Sequence, residues 1–142
     1  MIKLSHFTFN DEDLGVRLEK IRKQIIQIIE EYNIDEVVFE DIQLQDMAGG
    51  KEVGIKTFKI LAEVLGVIYE LLTEMKIKNA AVAPIVWKAT FKIAGRGREA
   101  EKKLAQKYVL DEYGMKCTQD EADAACIGIH ITKTATESFD WA

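Results

Sequence analysis

Apolar positions recur along this chain with two different periods. Leu14, Leu18, Ile21, Ile25, Ile28 and Ile29 fall three and four apart, the spacing that lines one face of an α-helix, and they predict a helix ending near Tyr32. Asn10-Asp11-Glu12-Asp13 precedes it and supplies oxygens for the unbonded first-turn N–H groups. Residues 2–9 instead mix β-branched and aromatic residues with polar ones in imperfect alternation, which predicts a strand at or near a sheet edge. Ile34 to Phe39 predicts the next strand. Strand, helix and strand in that order imply a βαβ unit with parallel pairing and a right-handed crossover.

A loop is expected from Asp41 to Gly50, which ends in Met47-Ala48-Gly49-Gly50 and has no strong periodicity. From Lys51 to about Lys76 runs the longest helical pattern, with apolar residues spread around more than one face. Such a helix must bury more than one side, either inside the domain or in a dimer interface. Ala80 to Ala83 is a short candidate strand, and Pro84 is suited to the first position of a helix, where a missing N–H costs nothing. Ala94-Gly95-Arg96-Gly97-Arg98 breaks that helix; Glu99 to Tyr113 resumes helical spacing, and Gly114 fits a C-terminal cap. Thr118 and Glu121 have the spacing of a capping box at the start of a final helix with a small, apolar body. The expected organisation is one domain over residues 1–132 and a loose tail over 133–142.

Composition narrows the class. With 142 residues, 48% of them hydrophobic and 30% charged, the chain has the size and mixture of one compact domain able to bury a core. No apolar run is long enough for a membrane span, and the first residues lack a secretion-signal layout, so an intracellular, non-membrane protein is expected. Cys117 and Cys126 make no ligand motif with each other or with His6 and His130, which argues against a zinc site or disulfide framework. The net charge of −5 is unevenly spread: Asp11 to Asp46 carries eleven acids against four bases, whereas Lys88 to Lys107 carries seven bases against two acids. That second stretch is either a local surface for a phosphate backbone or a set of solvated helix charges.

Candidate chemistry rests on acids. Glu40 closes the apolar run Val37-Val38-Phe39, at the strand end where open α/β sheets bind ligands. Asp120 and Asp123, three apart in the first turns of a helix, have Cβ atoms roughly 5–6 Å apart and face one region of space. Taken singly, each acid reads as a solvated charge favoured at its position. Together they suit Mg²⁺ or Mn²⁺, hard ions that prefer oxygen ligands, and two such ions about 4 Å apart promote phosphodiester hydrolysis. Gly95-Arg96-Gly97-Arg98 lacks the Lys-Ser/Thr ending of a P-loop. Trp87 is expected to pack in the core and His130 to lie near a helix end.

These residues in this order resemble the RuvC-type Holliday junction resolvases, particularly small phage-like members. The resemblance runs through the strand ending at Glu40, Gly54-Ile55-Lys56, Leu65-Gly66-Val67-Ile68, Val82-Ala83-Pro84-Ile85-Val86-Trp87-Lys88, the basic stretch from Gly95 to Lys102, and Asp120-Glu121-Ala122-Asp123-Ala124-Ala125. It implies an α/β, RNase H-like fold with a mixed sheet flanked by helices, and a homodimer formed through the 51–76 helix. It also implies divalent-metal-dependent nicking of four-way junctions or forks in the cytoplasm of a bacterial cell or phage-infected host. Glu40, Asp120 and Asp123 take the metal-ligand and catalytic roles. Lys88, Arg98 and Lys102 match phosphate-binding positions, and their neighbours Arg96 and Lys103 complete the DNA-binding set. The family's N-terminal hairpin, with a further metal-binding Asp, has no counterpart here, so weak metal binding and impaired cleavage are expected. Asp41-Ile42-Gln43-Leu44 shows no aromatic wedge, which implies broader branch specificity. The alternatives are a non-catalytic branched-DNA-binding domain and a helix-mediated protein-interaction module.

Overall fold

A computed structural model describes residues 2–42 and 51–141, with backbone only at 51–53 and 135–141. In chain order the elements are α1 (Leu14–Tyr32), β1 (Glu36–Glu40), α2 (Lys51–Glu74), β2 (Lys78–Val82), α3 (Pro84–Thr90), α4 (Arg98–Tyr113) and α5 (Gln119–Trp141). The chain divides into two compact units, one comprising residues 1–7, 38–41 and 81–142, the other residues 8–37 and 42–80. Among the described residues the sheet has two strands, β1 beside β2. Their matching ends meet: Lys78 lies 3.9 Å from Glu36 at the start of the pair, and the Asp41 N–H donates to the Val82 carbonyl at its close, 2.8 Å away. The strands are therefore parallel, and α2 is the crossover between them.

This corrects two expectations. The βαβ unit is β1-α2-β2, not one opened by residues 2–9, which form no strand. Nor is the sheet mixed among the described residues. The alternation in 2–9 is broken by polar residues, and a strand exists only where a neighbour accepts its ladder of hydrogen bonds. Most of the expected loop, from residue 43, lies outside the described residues.

In the unit of residues 8–37 and 42–80, α1 packs on α2. Asp13 caps α1 by accepting from the Val16 N–H at 3.2 Å, while Asn33 ends it in the left-handed conformation and returns its N–H to Ile29. Ile29 of α1 and Leu71 and Leu72 of α2 are buried, and Arg22 of α1 pairs with Glu70 and Glu74 of α2. The apolar circumference of α2 is not fully used: Ile55, Leu61 and Tyr69 remain exposed.

The other unit holds the larger core. Val82, Trp87, Ile93, Ala105, Val109, Ala122, Cys126 and Ile127 form one buried cluster, with Leu4 and Val38 packed against it. Pro84 opens α3 as expected. Gly114 closes α4 at φ 67°, its N–H donating to the Leu110 carbonyl. The capping box forms in both directions: the Glu121 N–H donates to Thr118 Oγ1 at 3.2 Å, and the Thr118 N–H donates to Glu121 Oε1 at 2.9 Å. α5 then runs unbroken to Trp141, through the segment that shows no sequence pattern. His130 does not lie near a helix end as expected: it is buried at mid-helix, its Nδ1 2.6 Å from Thr90 Oγ1 of α3. No described helix is long and apolar enough to cross a membrane.

Candidate metal and nucleic-acid site

All the acids singled out by sequence fall in the same unit, as do the bases around them. Glu40 ends β1 and is exposed. Asp120 lies in the first turn of α5, fixed by the Thr118–Glu121 cap, and is also exposed. Asp123 is different. It sits one turn on, beside the fully buried Ala122 and on the same side of α5 as Cys126, Ile127 and His130, all buried. That face packs against α3 and α4, so its carboxyl loses water.

The electrostatics follow from this placement. Burial is the largest influence on Asp123, and the negative charge of Glu40 adds to it; Lys88 opposes both, and Asp120 adds again. The net result is a carboxyl pushed up to about 6. Glu40 and Asp120 therefore stand near enough to repel Asp123. Among the described residues, however, no three His, Cys, Asp or Glu side chains are gathered closely enough to form a metal-ligand group. The donor set, oxygen only and anionic, fits a hard divalent cation in chemistry. Cys126, buried in the same core, has its thiol pushed up to about 12, first by burial and then by Asp123, which makes it a packing residue and not a ligand or nucleophile.

The five bases take three different situations. Lys88 of α3 is half-buried and turned to the acids, with its Nζ 3.6 Å from Glu101 Oε1. Arg96 lies in the turn before α4 and donates from Nε to the Lys92 carbonyl at 2.7 Å. Arg98, Lys102 and Lys103 belong to the first turns of α4, where Lys102 stands 3.9 Å from Glu99. Arg98 and Lys103 are exposed. Sequence reasoning missed two partners, Glu101 for Lys88 and Trp87 for Glu40. The indole N–H of Trp87 donates to Glu40 Oε2 at 2.8 Å. A buried tryptophan needs an acceptor, which was the available signal, but nothing local says which of many acceptors it finds.

The class this architecture defines is an α/β fold whose parallel strand end, carrying a glutamate, faces a helix bearing two aspartates. Solved RuvC structures share the overall fold. The chain is similar to Thermus thermophilus RuvC, with a TM-score of 0.56 at 14% identity over 87% of this chain and 68% of that one. It is also similar to T. thermophilus RuvC in complex with Holliday junction substrate, with a TM-score of 0.62 at 14% identity over 92% of this chain and 74% of that one. The fold is therefore RuvC-like. No protein-family profile matches the sequence, and no curated protein does.

Proposed function

We propose that this chain is a RuvC-like, structure-specific DNA endonuclease acting on four-way junctions or other branched DNA, with Glu40, Asp120 and Asp123 holding Mg²⁺ or Mn²⁺. The observation that carries this reading is the half-buried Asp123, raised to about 6 by burial and by the two acids beside it. Carboxylates that repel one another on a desolvated helix face are relieved by a hard cation. A bound ion of this kind would activate water and stabilise charge on a phosphodiester's oxygens. The residues supply the rest: Asp123 must lose its proton to ligate, and Lys88 offers positive charge beside the acids. Asp123 is protonated below about pH 6, so cation binding and cleavage would weaken as pH falls through that value.

Branched DNA as the ligand is supported by the fold shared with the RuvC–Holliday junction complex. Arg96, Arg98, Lys102 and Lys103 form the phosphate-contacting set outside the acid cluster, and their contacts make affinity fall steeply with salt. A homodimer through α2 would cover Ile55, Leu61 and Tyr69, which are otherwise exposed. The bacterial or phage-infected cytoplasm suits a protein with this substrate.

A second reading, a branched-DNA-binding domain without catalysis, is favoured by one observation: the described acids are not gathered into a ligand group. Titrating a labelled four-way junction, then adding Mn²⁺, separates the readings. Retarded junction and slow nicking that disappears in Asp120→Asn support the nuclease. Binding without nicking supports the second reading. No binding leaves a protein-interaction module using the apolar α2.

A further inference from the structure

Trp87 touches both kinds of charge in the site. It is the largest fully buried side chain among the described residues, enclosed by the cluster that includes Val82, Ile93 and Ala105. Its edge donates to Glu40 Oε2, and its face lies 5.7 Å from the Lys88 ammonium. Glu40 and Lys88 are long side chains with several rotatable bonds, one of them exposed and the other half-exposed. Left alone, each would sample many rotamers. The indole cannot: it has two side-chain torsions and is packed on all sides.

We infer that Trp87 is a positioning residue, whose buried indole presets Glu40 through its N–H and Lys88 through its ring face before any ligand arrives. The inference rests on the metal-site reading above and assigns the part of that site sequence analysis gave to core packing. A buried donor without a partner loses the hydrogen bonds it had in water, so Glu40 rotamers that abandon the indole are disfavoured. One carboxylate oxygen is thereby held, and the other, which has no further hydrogen bond among the described residues, is left for a cation. The ammonium is drawn to the ring's negative face and is paired with Glu101 at 3.6 Å. The backbone supports the arrangement. The Asp41 N–H bond to Val82 joins the end of β1 to the end of β2, and Pro84 starts α3 two residues later. Glu40 at the end of β1 and Trp87 in the helix that follows β2, 47 positions apart, are thus brought together where the two strands end. Orienting ligands in advance lowers the entropy lost on binding.

The test uses the full chain. The ¹⁵N–¹H resonance of the Trp87 indole is followed by NMR, with Trp141→Phe as the assignment control, and Mn²⁺ affinity is measured by calorimetry. Glu40→Gln should move the Trp87 resonance upfield by replacing a charged acceptor with a neutral one. Trp87→Phe, which keeps a ring and removes the N–H, should weaken Mn²⁺ binding by about tenfold to a hundredfold. A Trp87 resonance unmoved in Glu40→Gln, or wild-type Mn²⁺ affinity in folded Trp87→Phe, overturns the inference. If Trp87→Phe does not fold, the resonance decides alone. Absence of Mn²⁺ binding by the wild-type chain would sink the metal reading, and the resonance would still decide whether Trp87 holds Glu40.

Discussion

Replacing Asp123 by Asn should make the metal-free chain more stable while destroying the site. Asp123 stands at about 6 in the folded protein, against an ordinary value of 3.8. Between those values the folded state holds a proton that the unfolded state has released, so stability falls as pH rises from roughly 4 through 6. Above 6 the whole penalty is present. At about 1.36 kcal/mol per pH unit the gap corresponds to ~3 kcal/mol in a dry site. Asp123 is only half-buried, and solvent screening reduces that to about 1–2 kcal/mol. Asn has the same shape with no charge, so Asp123→Asn should gain about 1–2 kcal/mol at pH 8 and roughly half as much at pH 5. Urea unfolding in the presence of a chelator measures this directly. Saturating Mn²⁺ should then stabilise the wild type and leave the variant unchanged. A variant less stable than wild type at pH 8 in chelator would mean that Asp123 is satisfied as a carboxylate, and the argument from repelling acids would be wrong.

Two further outcomes follow from other parts of the structure. Arg98→Ala and Lys103→Ala, both at exposed positions of α4, should weaken junction binding and each reduce the slope of log affinity against log salt by about one; slopes equal to wild type in both would remove α4 from the DNA surface. Thr118→Ala removes one half of the reciprocal cap at the start of α5 and should cost about 1 kcal/mol in thermal or denaturant unfolding; an unchanged midpoint would show that tertiary packing alone sets where α5 begins.

How much was legible in the sequence depended on how far each signal reached. The Thr118–Glu121 box, the Gly114 cap, the Asp13 cap and Pro84 at the head of α3 each depend on residues within four positions of one another, and each forms as its spacing implies. The strand expected at residues 2–9 had the right residue types but depended on a neighbour elsewhere in the chain, and propensity cannot supply one. The site divides in the same way. That Glu40, Asp120 and Asp123 could act on one another followed from where acids fall on a strand end and a helix start. Which of them would be perturbed did not follow, because it depends on α3 and α4 packing over one side of α5 and burying Asp123 while leaving Asp120 in water. Lys88 was read with the other bases because charge counts carry no direction; α3 turns it toward the acids, whereas α4 presents Arg98 and Lys103 to solvent. Trp87 was the hardest case, since core packing and acid positioning ask for the same residue at the same place. Only its acceptor, 47 positions earlier, tells them apart. If Glu40 needs that indole to hold its orientation, the cation site is built by the core, and substitutions deep in the core will change metal affinity before they change the fold.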